Sequence, residues 1–256
     1  MNKKIVMTGG SSGIGEATAK KLVEHGHHVI SLDIKAGANP EVDHRLCDLS
    51  APSSIDTAVS TLSGTFSALL NIAGVPARHG ADLTMKVNLF GLRYLTEQVW
   101  DKIEEGGTVV NVASLAGNNW RKRRGLYKDL LATGSFAEGL KWWRENADKI
   151  GTDAYVFSKE AVVVYTMMLA GKGIKRNITV NDVGPGPVET PLLPDFTLDT
   201  GEDNMAALID ITGRAATPDE IAEAVIVLAE RRMSWLNGRH IVVDGGATAA
   251  YSTGWA

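Results

Sequence analysis

Short apolar runs alternate with longer amphipathic stretches along most of the chain. Ile5–Thr8 is an apolar run that ends in glycines, and helical spacing follows from about Gly15 to His25. His27–Asp33 reads as a second strand, Arg45–Asp48 as a short third, and Ser53–Ser63 as a helix opened by serines. Ala68–Ile72 is a fourth strand, Leu83–Glu104 one long helix, and Thr108–Ala113 a fifth strand. Tyr155–Lys172 is another long helix and Ile178–Val183 a sixth strand. Pro218–Glu230 is helical, with Thr217 as its N-cap and Pro218 at its first position. His240–Val243 is the last strand, stopped by Asp244-Gly245-Gly246. Strands this apolar, separated by helices, predict an α/β fold: a doubly wound parallel sheet of about seven strands covered on both faces. Ligands of such sheets bind past the carboxyl ends of the strands.

One stretch breaks the rhythm. Asn118–Thr152 carries Arg121-Lys122-Arg123-Arg124, then Leu126, Tyr127, Leu130, Leu131, Phe136, Leu140, Trp142 and Trp143. Its apolar spacing is helical in places, so it reads as a helical insertion between strand five and the following helix, inside a single domain spanning 1–256. The two tryptophans fit insertion core and substrate wall equally well. Leu192–Gly213 reads as an irregular lid made apolar by Leu192, Leu193 and Phe196.

Composition adds mainly exclusions. The net charge is −4 and the charges are mixed, which gives no basic face for nucleic acid. Cys47 is the only cysteine, so no intrachain disulfide can form. No run approaches the roughly 20 apolar residues of a membrane span, and the first apolar stretch is too short for a signal peptide. Cytoplasm is the expected location. His25, His27 and His28 read as a solvated turn, and no metal site is expected.

The chemistry sits at strand ends. Thr8-Gly9-Gly10-Ser11-Ser12-Gly13-Ile14-Gly15 lies directly after a strand and before a helix. Small residues there let backbone approach a pyrophosphate, and the helix N-terminus offers it free N–H groups. Asp33, ending the second strand, can accept bonds from both adenosine ribose hydroxyls and would repel a 2′-phosphate, so NAD is expected over NADP, with Lys35 blurring the preference. Asp48-Leu49 can hold the adenine edge, and Asn71-Ile72-Ala73-Gly74 leaves room for the cofactor ribose. Tyr155 and Lys159 share one helix face at a spacing of four. A tyrosine is a poor base near neutral pH, and a nearby ammonium favours its phenolate. Lys159 can supply that charge and hold the nicotinamide ribose. Ser114 ends the fifth strand and can bond a substrate oxygen. Asn88 is a polar residue inside a long helix, either solvent-facing or functional.

Taken in order, Thr8-Gly-x-x-x-Gly-x-Gly15, Asn71-x-Ala-Gly74, Asn88, Ser114, Tyr155-x-x-x-Lys159 and Asn181-x-Val-x-Pro-Gly186 resemble the short-chain dehydrogenase/reductase family from end to end. The resemblance implies one Rossmann-type domain and a catalytic tetrad of Asn88, Ser114, Tyr155 and Lys159. It also implies that Pro185, Gly186, Val188 and Thr190 contact the nicotinamide side. Ser114 and Tyr155 stand 41 positions apart, far more than is usual in the family. The long interval and the closing Asp244-Gly245-Gly246 are similar to bacterial 3α-hydroxysteroid dehydrogenase/carbonyl reductases. The expected function is hydride transfer between NAD(H) and an apolar, cyclic secondary alcohol or ketone of steroid or terpenoid kind. Tyr155 would take or give the hydroxyl proton, and Asn88 would support a water leading to Lys159. The alternatives are a 3-oxoacyl carrier-protein reductase, for which Arg121–Arg124 would be the basic patch, and a cofactor-binding regulator without turnover. Expected partners are the small apolar substrate and further copies of the chain, as homodimer or homotetramer, with neither nucleic acid nor membrane. A bulky insertion beside the Asn88 and Tyr155 helices would either block the pairing of those helices and leave a dimer through Pro218–Glu230 and His240–Gly246, or make the contact itself through Trp142 and Trp143.

Overall fold

The computed structural model describes residues 2–255. Seven strands make one parallel sheet: β1 (Lys4–Thr8), β2 (His28–Asp33), β3 (Asp43–Leu46), β4 (Phe66–Asn71), β5 (Ile103–Val112), β6 (Thr179–Pro185) and β7 (His240–Val243). Their order is β3-β2-β1-β4-β5-β6-β7. The chain winds outward from β1 to β3 and then returns to β4 beside β1, so the winding reverses at the β1–β4 boundary. That reversal opens the crevice in which sheets of this kind hold ligands.

Alternation along the strands sends side chains into two cores. Val6, Ile30, Leu69, Val109 and Val180 pack under α2 (Pro52–Ser60), α4 (Leu92–Val99) and α7 (Ala154–Gly173). Ile5, Met7, Leu70, Val110 and Val183 pack under α1 (Gly13–Glu24) and α10 (Pro218–Ala229). Thr217 caps α10 with a full capping box to Glu220.

The predicted helix Leu83–Glu104 is corrected in two ways. First, α3 (Ala81–Met85) passes through a π-helical stretch, Lys86–Gly91, before α4. A Cβ on Gly91 would overlap the carbonyl of Leu49, and the wide turn lets the chain approach that closely while Asn88 points inward. Second, the helix stops at Val99 and β5 already begins at Ile103. Ile103 pairs with Phe66 and Thr108 with Ala68, so the residues between them bulge out with Glu104 and Glu105 exposed. Two exposed acids break the strand's alternation, which is why the segment looked helical.

Between β5 and α7 the chain forms a 3-10 stretch (Leu115–Arg123), α5 (Arg124–Leu131) and α6 (Phe136–Ile150). Phe136 packs on Phe90 at 5.8 Å and on Tyr94 at 6.4 Å, ring centre to ring centre. Tyr127, Trp142 and Trp143 surround Phe157 of α7 at 4.8, 6.5 and 5.5 Å. Both tryptophans are therefore core of this helical unit, which lies over the outer faces of α4 and α7. Leu192–Gly213, predicted irregular, is two helices, α8 (Leu193–Thr200) and α9 (Glu202–Thr212). Pro194 starts the first, and Gly201 at φ +89° separates it from the second, so turn residues hid two short helices. The chain closes with α11 (Ala247–Thr253). Among the described residues no helix is long and apolar enough to cross a membrane.

Candidate active site

At the carboxyl end of β1 the glycine turn folds back against β4. Gly9 has φ +77°, and a Cβ there would lie 2.8 Å from the backbone of Ala73. A Cβ on Gly15 would overlap the carbonyl of Gly9. Ser12 is the N-cap of α1, yet its side chain makes no cap bond, so the first-turn N–H groups are left for a ligand. Gly13 faces Thr190, whose Cγ2 would be 3.0 Å from a Cβ at that position. The loop after β6 thus closes on the glycine turn, with Val188 bridged to Ala216 behind it. Gly74 leaves the other side open: a Cβ there would sit 3.3 Å from both Asn88 Oδ1 and Lys159 Nζ. These bare surfaces and uncapped N–H groups fit a dinucleotide laid across the strand ends.

Asp33 is buried at the end of β2. Its Oδ2 accepts from Ser11 N–H at 3.1 Å and Ser11 Oγ–H at 2.7 Å, and its Oδ1 accepts only a long 3.4 Å bond from Lys35 N–H. One oxygen fixes the turn and the other keeps acceptor capacity. Lys35 is exposed beyond it, Asp48 is exposed, and Leu49 is buried under the same rim. Gly186 packs against Asp244 and Leu115, just past buried Pro185. Asn71, by contrast, turns into the sheet and donates to Thr96 Oγ1 at 3.0 Å and Asn111 Oδ1 at 2.8 Å. It holds strands and helices together while Ala73 and Gly74 form the cleft wall.

Ser114, Tyr155 and Lys159 meet at the end of β5. Ser114 is buried and caps the following 3-10 stretch by accepting from Ala116 N–H at 3.1 Å. Its hydroxyl lies near enough to Tyr155 to favour the ionised phenol. Asp153 caps α7 through Val156 N–H, and α7 then places Tyr155 and Lys159 one turn apart, with Lys159 Nζ 5.7 Å from the Tyr155 ring centre. Lys159 Nζ donates to the carbonyl of Val112 at 2.9 Å. Burial pushes the Tyr155 phenol up to about 12, with the neighbouring Ser114 hydroxyl pulling against it. Burial pushes the Lys159 ammonium down to about 8, and the Asp182 carboxylate opposes that fall. In the protein chain alone, desolvation is the largest influence on both groups.

Asn88 is wholly buried, not solvent-facing. Its amide makes a two-way bond to Val75, accepting from N–H at 2.8 Å and donating to C=O at 2.9 Å, with a further 3.3 Å contact to Ser158 Oγ. It pins the strand-four loop against the π-turn. Phe196 of α8 lies over the site, 5.0 Å from the Tyr155 ring. Asp199 accepts from Arg78 N–H at 3.0 Å and Asp195 pairs with His79 at 3.2 Å, which ties the lid to the opposite wall. A surface hollow lined by Ala17, Lys20, Glu41 and Asp219 shares only Gly13 with these residues and is not the site.

Sequence reasoning passed over Glu160, Asp182 and His240. Glu160 accepts from Arg123 at 3.0 and 2.9 Å and from Tyr127 Oη, so Arg123 points inward and leaves the expected basic patch. An acid inside the apolar strand of β6 was the available signal for Asp182. His25 and His27 both contact Glu230 Oε1, at 2.7 and 3.2 Å.

Comparison with known proteins matches residues 3–128 to the family model described as short chain dehydrogenase and residues 146–248 to that described as Enoyl-(Acyl carrier protein) reductase. The chain is 38% identical over 252 residues to coniferyl-alcohol dehydrogenase of a Pseudomonas species, covering 98% of each. It is 28% identical to the 3-alpha-hydroxysteroid dehydrogenase/carbonyl reductase of Comamonas testosteroni, covering 96% of each. Among solved structures, the NADH complex of 3-alpha-hydroxysteroid dehydrogenase from Pseudomonas sp. B-0831 superposes with a TM-score of 0.81 at 29% identity, covering 99% of each chain.

Proposed function

We propose that this chain, which belongs to the short-chain dehydrogenase/reductase family, transfers a hydride between NAD(H) and an apolar, ring-bearing alcohol or carbonyl compound. The bound nicotinamide supplies or accepts the hydride; the protein's own residues handle the proton and the geometry. Tyr155 is the proton carrier, taking the hydroxyl proton in oxidation and giving it back in reduction. Ser114, next to that phenol, holds the substrate oxygen beside it. Lys159 puts a positive charge next to the phenol and stabilises its ionised form. Asn88 acts by holding Val75, which keeps Gly74 clear of Lys159 Nζ.

The observation that carries the substrate class is Phe196 packed 5.0 Å from the Tyr155 ring. An apolar ring that displaces Phe196 outward and packs against it keeps its faces out of water while its oxygen reaches Ser114. Both a cyclic secondary alcohol of steroid or terpenoid kind and an aryl allylic alcohol present such a ring, and relatives with each printed activity support the class. A carrier-protein substrate is disfavoured because Arg123 is spent on Glu160 and Arg121 lies on the Trp120 ring at 4.6 Å. The acceptor capacity left on Asp33 Oδ1 supports NAD over NADP.

The test is a spectrophotometric screen for reduced nicotinamide with NAD or NADP, against 3α-hydroxysteroids, terpenoid alcohols, coniferyl-type alcohols and small hydrophilic polyols. Turnover of ring-bearing alcohols with NAD is expected. Tyr155→Phe should lose on the order of 10²–10⁴-fold in kcat while still binding NAD, as removal of a general acid–base does. Preference for the polyols, or near-normal turnover by Tyr155→Phe, would sink the proposal.

A further inference from the structure

A buried acid–imidazole pair stands behind the Ser114–Lys159 site. Asp182 on β6 is wholly inaccessible, and its Oδ1 is bonded to Nδ1 of His240 on β7. The other imidazole nitrogen, Nε2, lies 3.1 Å from Oδ1 of Asn118, four residues past Ser114 in the same 3-10 turn. Asp182 pairs in register with Asn111 of β5, so both side chains leave the sheet on the α7 side, and Asn111 donates to Thr166 Oγ1 of α7 at 2.9 Å.

The seat of His240 is built for a ring. A Cβ on Gly184 would overlap the imidazole and lie 3.1 Å from the carbonyl oxygen of Ser114. A Cβ on Gly117 would lie 3.6 Å from His240 Cε1 and 3.3 Å from the carbonyl of Lys159. Two bare positions thus make room for one ring against the turn that follows Ser114, a turn that itself packs on the helix carrying Lys159.

Stability alone explains this poorly. A buried carboxylate is expensive to desolvate, and apolar residues of similar shape usually serve a core as well or better. Asp182 even keeps Oδ2 without a hydrogen-bond partner among the described residues. It stands close to one group that needs it: Lys159 Nζ bonds the carbonyl of Val112, and Val112 pairs with Val183, the residue after Asp182. Lys159 is forced toward neutrality by burial, and Asp182 is the single charge that acts against this. Burial pushes the Asp182 carboxyl above its ordinary range, and the His240 bond and the Lys159 charge act against that rise.

We propose that Asp182 and His240 are positioning residues for the reaction: Asp182 holds Lys159 in its charged form, and His240 fixes the Ser114 turn through Asn118. This rests on the reading of Ser114, Tyr155 and Lys159 as the reacting set. Asp182→Asn keeps the shape and removes the charge. It should lower kcat by about tenfold or more, leave KM for the alcohol within about twofold, and leave the denaturation midpoint unchanged or raised. A merely structural role would give the opposite split, with stability lost and kcat kept. His240→Leu should also lower kcat, and His240→Gln, which can still bond Asn118, should recover part of it. Should His240→Leu fail to fold, the double variant Asp182→Asn/His240→Leu, with no buried charge left, takes its place.

The inference is overturned if Asp182→Asn keeps kcat within about twofold of the parent, or loses it only in proportion to folded protein. Tyr155→Phe is measured alongside. An inactive Tyr155→Phe with a fully active Asp182→Asn rejects this inference alone. An active Tyr155→Phe rejects the underlying assignment and this inference with it.

Discussion

Lys159 is a charged group in a place that opposes charge. Burial holds its ammonium down to about 8, against an ordinary value of 10.5. Between those two values the unfolded chain binds more protons than the folded one, so this group's contribution to stability rises with pH across that window. Below about 8 both states are charged and the folded protein carries the full desolvation penalty. Lys159→Met should therefore be more stable than the parent near neutral pH, on the order of 1–3 kcal/mol, at the expense of activity. That advantage should shrink as pH rises from about 8 toward 10.5, read by denaturant unfolding of both proteins at two pH values; an advantage that grows with pH contradicts the burial argument. Asp33 has two tasks on this reading, since Oδ2 anchors Ser11 and Oδ1, which accepts only a long bond from Lys35 N–H, keeps acceptor capacity. Asp33→Ala should weaken both cofactors by loosening the turn, yet shift the NADP-to-NAD ratio of kcat/KM upward by roughly tenfold, about 1.4 kcal/mol. An unchanged ratio would assign discrimination to Lys35 or elsewhere.

At the scale of elements, the helical unit between β5 and α7 is fastened by one buried ion pair as well as by aromatic packing. Arg123 ends the 3-10 stretch, bonds Glu160 twice, and donates to the carbonyls of Ile150 at 2.9 Å and Gly151 at 3.3 Å. Tyr127 of α5 reaches the same carboxylate. The 3-10 stretch, α5, the end of α6 and α7 are thus joined through Arg123 and Glu160, the residue directly after Lys159. Removing a single partner leaves a buried charge alone, so Arg123→Ala should cost about 3–5 kcal/mol. Arg123→Met with Glu160→Gln should recover most of that loss, because no uncompensated charge remains. Equal losses for the single and double variants in thermal or denaturant unfolding would show that packing, not charge, holds the unit. The bare sequence hid this arrangement. Arg121-Lys122-Arg123-Arg124 reads as a uniform solvated run, and nothing local separates the one arginine that turns inward from its neighbours.

At the scale of the molecule, α5 and α6 occupy the outer faces of α4 and α7. Those helices are then closed to a second copy, while β7 remains an edge strand at the far side of the sheet. Trp235 is fully exposed in the turn before β7, with Met233 beside it at 53%. Exposed apolar surface of this kind next to an open edge marks an association face. We propose a homodimer through the C-terminal face, around α10 and β7. Sedimentation should give a dimer, and Trp235→Arg should weaken it by at least about tenfold in dissociation constant without altering the monomer's unfolding. A monomeric parent, or a dimer indifferent to Trp235→Arg, counts against this face.

The succession of strands and helices, the glycine turn with its following helix, and the spacing of Tyr155 and Lys159 were all determined by the sequence alone. Each depends on local periodicity, on glycine's backbone freedom, or on neighbours within one helical turn, and such short-range physics is written in consecutive residues. Lid helices α8 and α9 escaped because Pro194 and Gly201 look like loop punctuation, and the start of β5 escaped because its bulge breaks alternation. Tertiary structure alone decided the rest. Asn88 became a clamp on Val75, Arg123 became the partner of Glu160, and His240 reached Asp182 and Asn118 across 58 and 122 positions of chain. Desolvation decided the ionisation of Tyr155 and Lys159 in the same way. Burial and long-range pairing depend on which distant segments the sheet brings together, and no window of neighbouring residues contains that information.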